Sequence, residues 1–123
     1  MNEAAAGPRP FGRRLRLLQA TEFSVVFSAR RSLRGESFDL LFKPNGGSGP
    51  RLGLVIAKKF ARRAVMRNLL KRLARESFRA AAAGLASADL VLRLRRPVAG
   101  PAGREDRRRL RAEIDGLLAR LPR

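Results

Sequence analysis

The sequence predicts an α+β fold, in which a small sheet and helices form a single-domain two-layer sandwich with the element order α-β-β-β-α-β-α. Two periodicities carry this prediction. Apolar and polar residues alternate at 38–43 and 89–95, which is the period of a strand with one buried face. Apolar residues recur at 66–73 and 110–121 with the spacing of a helix that buries one side. Both kinds of element in one short chain favour helices packed on a single sheet.

The first helix is predicted to begin at Thr21, whose hydroxyl can cap it, with Glu22 in its first turn. Phe23, Val26 and Phe27 then fall on one face of this helix. The residues alone leave two interpretations of the phenylalanines open. They could belong to the core, or they could line a groove for unpaired nucleotides, because an aromatic face stacks on a base for about 1–3 kcal/mol.

The strands are predicted in three parts of the chain. Residues 32–43 are extended, and the Pro- and Gly-rich residues 44–50 are expected to form a flexible hairpin connection. The near-continuous apolar run 52–57 suits a central strand. Residues 89–95 supply the last strand, with leucines on one face and Val91 and arginines on the other.

The long helix that follows residue 57 has an apolar face and a cationic face. The apolar face carries Met66, Leu69, Leu70, Leu73 and Ser77. The opposite face carries the row Arg67, Lys71 and Arg75, with Asn68, Arg72 and Arg79 beside it. Gly84 is predicted to end this helix. A last amphipathic helix is predicted at 104–121, where Glu105 and Asp106 suit the first turn.

Charge is segregated around the long helix. Between Lys58 and Arg79 there are nine basic residues and a single acid, Glu76. Like charges one helical turn apart repel by a few tenths of a kcal/mol per pair, and a bound polyanion would relieve that repulsion. The alternative is an ordinary solvated face. Asn68 argues against it, because its amide supplies a donor and an acceptor for bases or 2′-hydroxyls.

Composition limits the chemistry that this chain can perform. Lys and Arg number 28 against 10 Asp and Glu, which gives a net charge of +18 and predicts salt-dependent binding to phosphate polyanions. The chain has no Cys and no His, so it lacks the commonest catalytic base and the commonest zinc ligands. Residues 1–10 are expected to be a disordered tail before one domain at 11–123. Without an apolar run of about 18 residues or a signal peptide, a cytoplasmic protein is expected.

The stretch 51–79, RLGLVIAKKFARRAVMRNLLKRLARESFR, closely resembles the signature of the bacterial ribonuclease P protein component. That signature is a strand ending in Lys-Lys, a short turn, Ala-Val, and then the pattern RNxxKRxxRE. The segments RLRLLQATEFSVVF and ADLVLRLRRP extend the resemblance over most of the chain. It implies that strands 52–57 and 89–94 flank the basic helix as a parallel βαβ unit in a mixed sheet. In the family this crossover is left-handed, against the usual rule.

The resemblance also implies what the protein does. The family's RNA partner, the ribonuclease P RNA, holds the catalytic Mg²⁺ and hydrolyses the bond that releases the 5′ leader from precursor tRNA. The protein is then an accessory subunit of an endoribonuclease holoenzyme. It docks on the catalytic RNA and holds the leader in a cleft. The implied partners are the RNA subunit and the leader, with no membrane and no DNA.

The resemblance assigns roles to residues by their position in the motif. The residues that bind the catalytic RNA are Arg67, Asn68, Lys71, Arg72 and Arg75. The basic residues of the preceding turn, which extend that surface, are Lys58, Lys59, Arg62 and Arg63. The two aromatic residues that line the leader cleft are Phe23 and Phe27. Two positions depart from the family pattern: Leu69 replaces a usual Arg, whose phosphate contact is lost or supplied by Arg72, and Leu41 replaces a frequent aromatic.

The sequence fits four other classes of protein less well. A structural ribosomal RNA-binding protein would share the charge and size, but it would need no paired aromatics and would not stimulate cleavage of precursor tRNA. A DNA-binding regulator would need a helix-turn-helix or a dimerising element, and the sequence shows neither. A membrane-surface helix is disfavoured because the core needs the apolar stripe of the basic helix. A self-contained nuclease would need His or clustered acids.

Overall fold

The computed structural model describes residues 26–28, 31–47, 49–98 and 103–122. The predicted tail at 1–10, the predicted cap Thr21 and the aromatic Phe23 lie outside the described residues.

Within the described residues, four strands form one sheet: β1 (Ser32–Arg34), β2 (Phe38–Pro44), β3 (Arg51–Val55) and β4 (Ala88–Leu94). Their order across the sheet is β1-β2-β4-β3. β2 runs antiparallel to both β1 and β4, whereas β3 runs parallel to β4. The sheet is therefore mixed, as predicted.

The loop at 44–50 does not close a hairpin, so that prediction is wrong. β4 lies between β2 and β3, and it is β4, not β3, that takes the central place. The physical reason is burial, because Leu90, Val91 and Leu92 on consecutive positions of β4 are all almost inaccessible, which requires cover on both faces. The loop is instead fastened to β4: Asn45 Nδ2 donates to Asp89 Oδ1 at 2.9 Å.

Two long helices cover one face of the sheet. The basic helix α1 is Ala64–Ala81 and continues into a short 3₁₀ turn, Ala82–Gly84, so it ends at the predicted glycine. The terminal helix α2 is Arg104–Ala119. α1 buries its predicted apolar face together with Ala74 and Phe78. The core between these helices and the sheet is built from leucines, with Phe38 and Phe78 as its largest side chains.

The described residues of the first predicted helix, which precedes α1 in the chain, lie on the opposite face of the sheet. Residues 26–28 are helical, and Val26 is fully buried against Leu41 and Val91, with Val55 partly buried beside them. These sheet residues alternate with the leucines that face α1 and α2, so they point to the other side. We call this side the outer face. The predicted element order α-β-β-β-α-β-α is confirmed.

The basic helix connects two parallel strands. β3, α1 and β4 follow one another in the chain, and β3 pairs with β4 in parallel. This confirms the βαβ unit that the resemblance implies. The left-handed sense of the crossover stays a prediction.

The connection between β1 and β2 is held by the terminal helix. Glu113 of α2 points its carboxylate at the start of β2, where Oε2 accepts hydrogen bonds from the amides of Ser37 at 2.8 Å and Phe38 at 2.9 Å. Gly35 makes this approach possible, because a Cβ there would lie 2.5 Å from the same oxygen. α2 is thereby fastened to the sheet by directed hydrogen bonds as well as by apolar packing.

Candidate RNA interface

The structure gathers the predicted helix residues on the solvent side of α1. Asn68 and Arg72 are exposed, and Arg67, Lys71 and Arg75 are partly exposed, opposite the buried apolar side of the helix. We call these five residues the cationic face. Arg72 forms an ion pair with Glu76 at 3.9 Å, a long distance between two substantially exposed side chains. Such a pair contributes little to stability, so it leaves Arg72 able to meet a phosphate.

Arg67 has a structural role that the sequence did not reveal. Its Nη1 donates to the carbonyl oxygens of Ala61 at 3.0 Å and Arg62 at 2.8 Å, both in the turn before α1. The guanidinium therefore fixes that turn against the helix. Because one nitrogen is used in this way, replacing Arg67 would disturb the turn as well as remove a cation.

The turn between β3 and α1 carries four further predicted cations. Lys58, Lys59, Arg62 and Arg63 are all exposed. The turn is closed by the amides of Phe60 and Ala61, which both donate to the carbonyl of Ala57, at 3.0 and 3.1 Å. These residues extend the positive surface from the first turn of α1 to the end of β3.

A groove opens beside the turn. It has a volume of about 430 Å³, and its lining includes the apolar Phe60, Met66 and Val98 as well as Arg62 and Arg63. The Nζ of Lys59 lies 5.0 Å from the centroid of the Phe60 ring. The groove belongs to the same positive surface as the turn.

Leu69 lies where the helix projection placed it. The side chain is partly buried and packs against the core cluster. It therefore marks the boundary between the apolar side of α1 and the cationic face. A phosphate contact from this position is not available, and Arg72 on the same helix is the exposed cation three residues further on.

Phe27, the other predicted leader residue, lies on the outer face. The residue is 36% exposed, unlike the neighbouring Val26, which is fully buried. The Cζ of Arg93 on β4 lies 5.8 Å from the ring centroid, within the range of a cation–π contact. Phe27 is thus an accessible aromatic beside a cation, whereas Leu41 is buried in the apolar cluster with Val26. Phe27 therefore lies outside the buried core, and its part in a groove for unpaired nucleotides stays a prediction.

Sequence reasoning missed a second group of charged residues on the outer face. Three arginines from different parts of the sheet, Arg34, Arg93 and Arg95, all pair with Asp39. The available signal was the alternation at 89–95, which placed two of these arginines on the face opposite the leucines. Strand alternation gives the face but not the cross-strand neighbours, so the pairing with Asp39 could not be foreseen.

The edge of the outer face carries a bidentate ion pair. Arg51 donates from Nε and Nη2 to the two carboxylate oxygens of Asp89, both at 2.9 Å. Burial alone would raise the pKa of Asp89, but the hydrogen bonds from Arg51 and Asn45 outweigh it and hold the pKa below its ordinary value. Asp89 therefore stays ionised and neutralises the charge of Arg51. Arg51 thus adds no net positive charge to the surface.

Two further properties of the described residues concern metal ions and membranes. Within the described ranges, no three residues of the types His, Cys, Asp and Glu lie where they could hold a metal ion together. None of the described helices has the length and apolarity that a membrane span requires.

The fold and this surface define a class: a small, strongly basic α+β protein that presents cations on one helix, on its preceding turn and on one sheet face to a polyanion. The family model of ribonuclease P matches residues 11–122, and the chain belongs to the ribonuclease P protein family. Membership implies a part in tRNA 5′ processing as one component of an endoribonuclease holoenzyme. It also implies that the chain's partner is the ribonuclease P RNA.

Individual relatives agree with the family match. The ribonuclease P protein component of Azoarcus sp. is 43% identical over 122 residues, covering 99% of this chain and 98% of its own length. That of Aromatoleum aromaticum is 52% identical over 83 residues, covering 68% and 70%. The solved Thermotoga maritima protein superposes with a TM-score of 0.74 at 33% identity, covering 87% of this chain and 98% of its own. A Staphylococcus aureus structure gives 0.74 at 22% identity, covering 85% and 93%, and supports the fold alone.

Proposed function

We propose that this chain promotes 5′ maturation of tRNA by two separate contacts, one with the catalytic RNA and one with the 5′ leader of precursor tRNA. The cationic face of α1 and the basic turn before it bind the RNA subunit. The outer face of the sheet, with Phe27 and the predicted cleft residue Phe23, binds the leader. The observation that carries this proposal is the cationic face itself, where cations from a single helix share one solvent-exposed side.

The first contact is supported by electrostatics. Each Lys or Arg that neutralises a phosphate releases condensed counterions, and this gain needs no base-specific contact. With about six phosphates engaged, the logarithm of the binding constant is expected to fall with the logarithm of salt at a slope near −5. Asn68 adds a donor and an acceptor within the row of cations.

The second contact is supported by the pairing of an aromatic with cations. Unpaired nucleotides bind surfaces that offer both a stacking platform and positive charge along the backbone path. Phe27 supplies an exposed ring, and Arg93 lies directly beside it. A single-stranded leader fits this combination better than a duplex, because the bases of a duplex are already stacked on one another.

The chemistry is assigned to the RNA subunit. Mg²⁺ prefers oxygen ligands, and among the described residues no three carboxylates lie where they could hold a metal ion together. We infer that the RNA holds the catalytic Mg²⁺ and that this chain contributes binding and charge neutralisation. Neutralisation lowers the divalent-ion concentration that the RNA needs to fold and work. The protein is proposed to act in the cytoplasm, where tRNA precursors are made.

Phe27→Ala is the variant that tests the leader contact. Loss of one stacking ring is expected to cost about 1–3 kcal/mol, so the Kd for a long-leader precursor should rise by roughly 5- to 150-fold. The Kd for a leaderless substrate should stay the same. Both are measured with the reconstituted holoenzyme. Phe27→Tyr keeps the ring and is the matched control; an equal rise for both substrates would show that Phe27 only supports the fold.

A further inference from the structure

A buried carboxylate lies at the centre of the outer face. Asp39 is the second residue of β2, and its side chain is only 8% exposed. A negative charge in this place repels the phosphates of a leader, and burial of a charge is costly unless the charge is paired. The charged groups that pair with Asp39 therefore show how its negative charge is stabilised.

Three guanidinium groups surround this carboxylate at two different distances. Arg93 Nη2 donates a hydrogen bond to Oδ2 at 3.1 Å. The Nε atoms of Arg34 and Arg95 each lie 3.6 Å from Oδ1, within ion-pair range but beyond a good hydrogen bond. Among the described residues, none donates a hydrogen bond to Oδ1. Arg93 is thus held by a hydrogen bond to Asp39, whereas Arg34 and Arg95 are attracted to the carboxylate through longer ion pairs. Arg95 is also held from Nη1, which donates to the carbonyl oxygen of Glu36 at 3.1 Å.

The sheet register places Asp39 and two of these arginines in one line. Arg34 of β1 lies directly opposite Asp39 of β2, and Asp39 lies directly opposite Arg93 of β4. Side chains at directly opposite positions share a face. The carboxylate is buried in the middle, whereas the side chains on either side of it are 72% exposed at Arg34 and 42% exposed at Arg93.

Arg93 joins this line to the aromatic on the first helix. Its guanidinium is held by Asp39 through one nitrogen, and its Cζ lies 5.8 Å from the centroid of the Phe27 ring. A planar guanidinium that is fixed on one edge can stack on a ring and still present its remaining N–H groups. The orientation of Arg93 is therefore tied to the carboxylate and to the ring at once.

We propose that Asp39 is a positioning residue for leader binding. Its carboxylate holds Arg93 beside the Phe27 ring and attracts Arg34, on the same line, and Arg95, two residues beyond Arg93. The ligand of this line is a phosphodiester of single-stranded RNA, which meets guanidinium groups already ordered beside a stacking surface. This inference rests on the proposed function of the outer face, and it assigns to an acidic residue a favourable part in binding a polyanion.

A purely electrostatic account makes the opposite prediction. If Asp39 only offset the repulsion between arginines, removing its charge would make the outer face more positive, and every RNA substrate would bind more tightly. If Asp39 orders the arginines, removing its charge should weaken binding of the leader in spite of the added positive charge. The two accounts differ in the sign of the effect.

The test compares a long-leader precursor tRNA with a leaderless one, each bound to holoenzyme reconstituted with a bacterial ribonuclease P RNA. For Asp39→Asn we expect the preference for the leader, taken as the ratio of the two Kd values, to fall by about three- to tenfold, within the range of one lost stacking or phosphate contact. Glu105→Gln is the matched control. It removes the same charge from an exposed site at the start of α2, and it should leave the ratio unchanged.

Arg93→Lys keeps the positive charge but loses the planar fork, and because its side chain is partly exposed it tests the same idea without changing a buried site. It should lower the ratio as well, and the double variant should do no more than the larger single change, because both act through one contact. An unchanged or increased leader preference in Asp39→Asn, or additive effects in the double variant, would overturn the proposal. A wild-type protein with no leader preference would instead refute the leader contact itself.

Discussion

Replacing Lys71, Arg72 and Arg75 of α1 with alanine is expected to weaken binding to the ribonuclease P RNA by roughly 100-fold at physiological salt, taking about 1 kcal/mol for each lost solvent-exposed phosphate contact. The slope of log K against log salt should become shallower by roughly 2.7, since each phosphate contact contributes about 0.9. Titration of labelled RNA at several salt concentrations measures both quantities. The three side chains lie on the solvent side of the helix, and alanine is a strong helix former, so the fold should be kept.

The control for this variant removes the same charge elsewhere. Arg104, Arg107 and Arg108 are exposed on the terminal helix α2, away from the motif. Replacing these three with alanine lowers the net charge equally. If both triple variants weakened RNA binding to the same degree, then total charge, and not the cationic face, would govern the affinity. A loss of helicity in the α1 variant would show that these residues support the fold.

Glu113→Ala is expected to lower the free energy of unfolding by about 2–4 kcal/mol, because it leaves two partly buried amides without an acceptor. Those amides belong to Ser37 and Phe38, at the point where β2 begins. Phe38 is fully buried in the main core, so disorder at this point would reach the core directly. Urea unfolding followed by circular dichroism measures the change.

Glu113→Gln separates the hydrogen bonds from the charge. Glutamine keeps a carbonyl oxygen at the same reach, which can accept from both amides. We expect it to restore most of the stability that alanine loses. If glutamine were as destabilising as alanine, the carboxylate would act through its charge, and the distances to Ser37 and Phe38 would not explain its role.

Local periodicity predicted the elements of this fold well, because both helices and strands leave a repeating pattern in the sequence. The apolar side of α1, the position of Leu69 and the stop at Gly84 all follow from residues close together in the chain. The pairing of the strands does not follow from residues close together in the chain. The insertion of β4 between β2 and β3 depends on which strand can be covered on both faces, and that is decided by the packing of distant elements.

The candidate site also has one part that the sequence predicts and one part that it does not. The cationic face was predictable because a single helix supplies it, and helical spacing alone gathers its side chains. The group around Asp39 was not, because it joins three strands and the first helix through side chains far apart in sequence. The second role of Arg67 also escaped prediction, since hydrogen bonds to backbone carbonyls leave no mark on the pattern of residue types.

Cleavage of precursor tRNA by a bacterial ribonuclease P RNA at low Mg²⁺, measured with and without this protein, tests the central claim. The account predicts that adding the protein restores cleavage at the mature 5′ end, because the cationic face lowers the Mg²⁺ that the RNA needs and the outer face holds the leader. Tight binding to the RNA with no change in the cleavage rate would contradict it, and would favour a structural RNA-binding protein of the ribosomal kind.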